Sequence, residues 1–251
     1  MERLSVVIIT KNEESVIATC LDSVTELADE LVVLDSGSTD STREICIARG
    51  ARFIETDWLG FGKQKNGAVQ AARNDWVLCL DADERVTSEL SGSIKAALHD
   101  PFYSAYHFAR RNKFLGRYLQ HGEGYPDWSL RLFDRRVARW SSDVVHEKVI
   151  CDAPIGKLAG DLLHDSAETL EGYLTKQNRY TTLAAVSDIA EQRNISAARL
   201  ILSPFVRFIK FYLLHGGFRD GVPGLVHITI GCFNSFIKYA KIRERQGRKV
   251  V

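Results

Sequence analysis

The sequence predicts an α/β fold, a mostly parallel sheet flanked by helices, followed by a C-terminal helical extension. Three observations carry that expectation. Over residues 4–98, short β-rich apolar runs alternate with segments of helical spacing, the pattern of βαβ units. The apolar runs end in polar clusters, Thr10-Lys11-Asn12-Glu13, Asp35 to Asp40 and Asp81-Ala82-Asp83-Glu84. Past residue 195 the chain turns apolar and then basic.

Taken in order, Leu4–Thr10 reads as the first strand, because its apolar part is too short for a signal peptide and turns polar at once. Residues 14–27 place Val16, Ile17, Cys20, Leu21 and Val24 on one helical face. Residues 31–34 are the second strand, and Ser36-Gly37-Ser38-Thr39-Asp40 is a turn leading into a helix. Arg52–Glu55 is the third strand, residues 63–72 a helix, and residues 76–80 the fourth strand. From about residue 101 aromatic and basic segments take over, with strand candidates at 104–108 and 129–133. Residues 168 to about 193 are helical by the spacing of Leu170, Leu174, Leu183, Val186 and Ile189.

Composition bounds the function. With 251 residues, 45% hydrophobic and 26% charged, the chain can bury a sizeable core. A net charge of +1 argues against a nucleic-acid partner, which needs a markedly basic face. Five cysteines without a C-x-x-C pair point to a reduced, cytoplasmic protein.

The chemistry centres on Asp81 and Asp83. A buried strand that ends in two acids spaced i, i+2 suits a divalent cation, Mg²⁺ or Mn²⁺, held against a diphosphate, because open α/β sheets bind ligands at the carboxyl ends of their strands. That pattern points to nucleotide-sugar chemistry. Thr10, Asn12, Glu13, Asp35, Ser36, Asp40 and Ala82 fall at the same sheet edge, where carboxylates are fixed in direction and can bind a base or a ribose. For Asp40, helix capping competes with binding. Gly60-Phe61-Gly62-Lys63-Gln64-Lys65 lacks the G-K-[ST] ending of a Walker loop, although Lys65 can touch a phosphate.

The series L-S-V-V-I-I-T-K-N-E-E, V-V-L-D-S-G-S-T-D-S-T, K-N-G-A and L-D-A-D-E resembles family 2 glycosyltransferases of the GT-A fold, whose sheet is Rossmann-like. Tyr125 to Phe133, Val145-His146-Glu147 and Phe218-Arg219-Asp220-Gly221 look like bacterial lipopolysaccharide-core glucosyltransferases acting on inner-core heptose. The resemblance implies inverting transfer from a UDP-sugar, with UDP-glucose as donor, to a lipid-linked saccharide. It implies Asp127 as the catalytic base, with Glu123 as alternative, and Arg131 on the diphosphate or bracing the base. It also implies His164 as a third metal ligand beside Asp81 and Asp83, a role for which His146 competes, and Glu123, His146 and Glu147 toward the acceptor. On this reading residues 1–195 form the transferase domain, with 1–100 binding the nucleotide-sugar and 101–195 the acceptor. A binding module of the same fold without chemistry is the alternative.

Residues 199–214 look like an interfacial helix, apolar on most sides with Arg199, Arg207 and Lys210 on one face. Residues 221–240 are long but interrupted by Pro223, His227 and Asn234, and are not read as membrane-spanning. Lys238, Lys241, Arg243, Arg245, Arg248 and Lys249 then crowd the end, a cluster that favours anionic headgroups. Residues 196–251 are therefore expected to be a membrane-associating extension, peripheral on the cytosolic face of a bacterial inner membrane.

Overall fold

The computed structural model describes residues 2–141, 147–165, 169–190 and 196–247. The chain divides into two compact units, Met1–Arg110 with Asp127–Asp165 and Arg111–Pro126 with Ser166–Val251. The boundary differs from the one expected at residue 195, because the long helix after residue 169 packs with the C-terminal helices.

In the first unit, strands β1 (Leu4–Thr10), β2 (Glu30–Asp35), β3 (Arg52–Glu55) and β4 (Trp76–Asp81) run parallel in the order β3-β2-β1-β4. The sheet then turns antiparallel. Of the later strands β5 (Glu84–Val86), β6 (Ala105–Phe114), β7 (Arg117–Tyr118), β8 (Asp127–Asp134), β9 (Ala138–Trp140), β10 (Val149–Cys151) and β11 (Ile155–His164), the order continues β8-β6-β11-β5. The β9 and β10 strands form a separate ribbon, while β7 pairs with the end of β6 that belongs to the second unit. Helices α1 (Ile17–Asp22), α2 (Thr42–Ala48), α3 (Phe61–Ala71) and α4 (Ser88–His99) complete the first unit.

The parallel strands are apolar at successive positions because both of their faces are covered. Leu4, Val6 and Ile8 of β1 and Trp76, Leu78 and Leu80 of β4 pack with Ile17, Leu21, Leu90 and Ile94. On the other face Val7, Val77 and Cys79 meet Ala68, Val69 and Trp140. Each fully buried aliphatic side chain here contributes about 1.5–3 kcal/mol.

Two helices differ from their expected extent. Of residues 14–27 only Ile17–Asp22 is regular α-helix, although Val24 and Leu27 stay buried as the spacing requires. There the Ser23 hydroxyl donates to the Cys20 carbonyl at 2.7 Å and accepts from the Val86 amide at 3.1 Å, a local alternative to the helical ladder. Helix α3 starts earlier than predicted, directly after Gly60, whose φ of 93° suits glycine alone. Close by, a Cβ at Gly62 would lie 2.2 Å from the Ser141 carbonyl oxygen.

The second unit is helical: α5 (Leu170–Ala190), α6 (Ala197–Phe208), a π-helical turn at Ile209–Leu214, a 3₁₀ turn at Gly217–Asp220 and α7 (Gly221–Gly247). Both α5 and α6 pack on α7, around Ala185, Tyr239 and Ile242. Pro204 inside α6 removes one helical donor, and the helix widens one turn later. Asp220 is fully buried and accepts from the Gln120 and His121 amides at 2.9 and 2.8 Å, which gives the F-R-D-G segment a structural role. Among the described residues no helix is long and apolar enough to cross a membrane.

Candidate active site

Strand register brings the polar clusters together. Thr10 pairs with Asp35 and Ile9 with Asp81, so β1, β2 and β4 end side by side. Much of the polar chemistry at the first two ends holds the loops in shape. The Asp35 carboxylate accepts from the Gly37 and Ser38 amides at 2.8 and 2.7 Å, and Ser36 bonds back to the Thr10 carbonyl. Asn12 sits at a φ of 55°, a conformation asparagine tolerates, and accepts from the Thr39 amide at 2.8 Å. Asp40 accepts from the Glu14 and Thr42 amides, both at 3.1 Å, and so ties the two loops together.

At the end of β4 the Asp81 carboxylate is gripped on both sides. Lys65 Nζ lies 3.0 Å from Oδ1 and Arg131 Nη2 2.8 Å from Oδ2. Burial alone would raise the Asp81 carboxyl, but Arg131 and Lys65 outweigh it and hold it well below the usual carboxylate range. Both cations lie over the Trp140 ring, at 4.5 and 5.3 Å from its centre. Trp140 is fixed by Asn66, which accepts from its amide and donates to its carbonyl at 3.0 and 2.9 Å. Every residue of the K-N-G-A motif is therefore engaged, Lys65 on Asp81, Asn66 on Trp140, and Gly67 and Ala68 against the sheet.

Glu84 lies beneath this pair, with none of its surface exposed. Its Oε2 accepts from the Asp81 amide at 2.9 Å, while Oε1 faces Arg131 at 3.1 Å and Arg110 at 3.4 Å. Arg110 in turn holds the Asp127 carboxylate at 2.7 and 2.9 Å. A continuous chain of charges thus runs Lys65, Asp81, Arg131, Glu84, Arg110, Asp127. The Asp127 side chain is 37% exposed.

Asp83 turns the other way from Asp81, and its Oδ2 lies 3.1 Å from His164 Nε2. Burial first, and then the charges of Asp83 and Asp40, raise the pKa of Glu13. Of the three expected metal ligands the structure joins Asp83 and His164, whereas Asp81 is committed to two cations. Among the described residues no three acidic, histidine or cysteine side chains form a ready-made metal cage.

Several buried polar atoms around the same strand ends have no partner among the described residues: Thr10 Oγ1, both amide atoms of Gln64, and Arg131 Nη1. Gln64 is 1% exposed and precedes Lys65 on the helix packed against β1 and β2. Unpaired buried polar groups are costly, so these atoms are open to further hydrogen-bond partners.

The remaining expected residues are distributed differently. Glu147, assigned toward the acceptor, lies 3.3 Å from Lys65 in the first unit. Glu123 belongs to the second unit, where Arg207 donates to it at 2.9 Å. Ala82 is buried at the turn after β4, and His146 lies outside the described residues. Sequence reasoning missed Glu84, Arg110, Gln64 and Trp140. Glu84 alone carried a signal, as the acid directly after the paired aspartates.

Residues 5–153 match the sequence profile of Glycosyl transferase family 2. A curated lipopolysaccharide core biosynthesis glycosyltransferase, LpsC of Rhizobium meliloti, is 30% identical over 98% of this chain and 94% of its own length. An uncharacterised glycosyltransferase of Rickettsia typhi is 32% identical over 97% and 88%. Among solved structures, S. aureus TarS 1–349 in complex with UDP-GlcNAc aligns with a TM-score of 0.49 at 17% identity, covering 94% of this chain and 81% of that one.

Proposed function

The chain belongs to glycosyl transferase family 2, and from that premise we propose an inverting, metal-dependent hexosyltransferase. In this reading a hexose, glucose, passes from a UDP-sugar to a hydroxyl of a lipid-linked saccharide of the lipopolysaccharide inner core, at the cytosolic face of the inner membrane. The LpsC relative supports the acceptor class. The observation that carries the chemistry is the buried Asp81, Lys65 and Arg131 cluster, whose Arg131 Nη1 has no partner among the described residues.

The mechanism follows from charge. As the bond between the anomeric carbon and the diphosphate breaks, negative charge collects on the leaving oxygens, and Lys65 and Arg131 offset it in a buried setting where such interactions are strong. Thr10, Asp35 and Gln64 supply polar contacts to the nucleoside. Asp127 takes the proton of the acceptor hydroxyl as that oxygen attacks the anomeric carbon from the opposite face, so the configuration inverts. Arg110 fixes the Asp127 carboxylate in direction, and Glu84 fixes Arg110 and Arg131 together. Asp83 and His164 would hold a divalent cation, which would supply positive charge toward the leaving diphosphate.

A panel of nucleotide sugars offered with Mn²⁺, scored by nucleotide release, tests the donor. Replacing Asp81 and Asp83 with alanine should abolish release while the chain stays folded, and retained turnover would defeat the proposal. With UDP present, Mn²⁺ should raise the melting temperature of the parent, and Asp83→Ala with His164→Ala should separately remove that rise.

A further inference from the structure

The second unit carries an exposed apolar stripe. Leu202, Phe205, Val206, Ile209 and Leu213 follow helical spacing along α6 and the π-helical turn, and each is more than half exposed. Apolar surface of this kind, rimmed by charge, marks a contact with a membrane or another protein.

A cavity of about 650 Å³ opens beside this stripe, with Leu202 and Val206 on its rim and Arg199, Arg207, Lys210 and Lys238 among its walls. Among the described residues no carboxylate lines it. The sequence placed Arg199, Arg207 and Lys210 on one face of an interfacial helix, and in the structure all three line this cavity. Arg207 turns inward to Glu123 and to the Ser235 hydroxyl at 2.8 Å. Lys238 is paired with Asp188 at 3.0 Å. Arg199 rests over the Tyr239 ring and Lys210 over the Phe211 ring, and among the described residues neither has a carboxylate partner. Two cations with no carboxylate partner among the described residues therefore line a cavity together with the exposed Leu202 and Val206.

We propose that this cavity receives the phosphate headgroup of an anionic membrane lipid, with Arg199 and Lys210 on the phosphate and the Leu202 to Leu213 stripe in the acyl boundary. A lipid surface is the occupant that answers both features at once, charge for the cations and hydrocarbon for the stripe. An acidic peptide or a free phosphate answers only the first.

The test is co-sedimentation of the full chain with vesicles of phosphatidylcholine alone or mixed with phosphatidylglycerol. Binding to the mixed vesicles should be at least about tenfold tighter. Arg199→Glu with Lys210→Glu should lose about tenfold or more of that binding, and Arg199→Gln with Lys210→Gln repeats the test if the reversal unfolds the helices by circular dichroism. Arg243→Glu with Arg245→Glu makes the same charge change at exposed positions outside the cavity, and should lose much less. Equal loss in both pairs would mean diffuse attraction and would overturn the site. Equal binding to neutral vesicles would overturn it as well. So would a melting shift with inorganic phosphate that vanishes in the Arg199 and Lys210 variant while vesicles go unbound, since that describes a soluble-phosphate site.

Discussion

Glu84→Gln is the most demanding test of the buried charge chain. Glutamine is nearly the same size and cannot satisfy all three of the contacts that Glu84 makes. If its amide oxygen faces Arg131 and Arg110, its NH₂ group is set against the Asp81 amide, another donor. Exchanging charge-assisted for neutral bonds to two guanidiniums costs about 1 kcal/mol each, and stranding the Asp81 amide adds about 1 kcal/mol. The sum of about 3 kcal/mol corresponds to a melting temperature lower by about 6–12 °C in a chain of this size. Arg131 and Arg110 keep Asp81 and Asp127 as partners, so the fold survives. Their aim loosens, however, and kcat should fall by about tenfold to a hundredfold at a temperature where the variant is fully folded. Differential scanning calorimetry and nucleotide release read the two effects separately. A variant that melts within about 2 °C of the parent and turns over at the same rate would refute the reasoning.

Three further outcomes follow from the same geometry. Asp127→Asn should lower kcat by about a hundredfold to ten-thousandfold, with the donor KM and the melting temperature little changed, because Arg110 still pairs with Glu84. Asp81 titrates below the usual range, so its stabilising contribution is in place above the unfolded value of about 3.9 and fades as the pH falls through the lower folded value. Urea midpoints should therefore separate the parent from Asp81→Asn near neutrality and converge on acidification. Glu13 has the opposite sign. Its raised pKa means that stability is fully present below the unfolded value and is lost as pH rises through the folded one, so Glu13→Gln should melt higher than the parent at about pH 7 and alike at about pH 4.

The parallel half of the sheet was legible because its strands are apolar on two faces and end in polar turns, a pattern visible within single segments such as Trp76–Asp81. The antiparallel half was less so. Strands β6 and β8 run well beyond their expected spans because they continue through Arg110, Asn112 and Asp127, residues whose polarity hides the strand period. Strand β11, with Lys157, Asp161 and His164 among its residues, showed no clear signal at all. The site divides in the same way. Asp81, Asp83 and Asp35 stand at strand ends and can be read locally, whereas Arg110, Trp140 and Gln64 acquire meaning only when segments 26 to 74 residues apart meet, as Glu84 meets Arg110 and Asn66 meets Trp140. Glu147 shows the limit of a motif, since its neighbour in space is Lys65, 82 residues away in sequence.

The chain leaves the first unit after Arg110 and re-enters it at Asp127, and these two residues are partners both in strand register and by ion pair. The excursion between them, Arg111–Pro126, is thus closed at its root like a loop held in a clasp. Sixteen residues can thus leave the sheet and return without opening it, because the strand pairing and the ion pair at their root stay within the first unit.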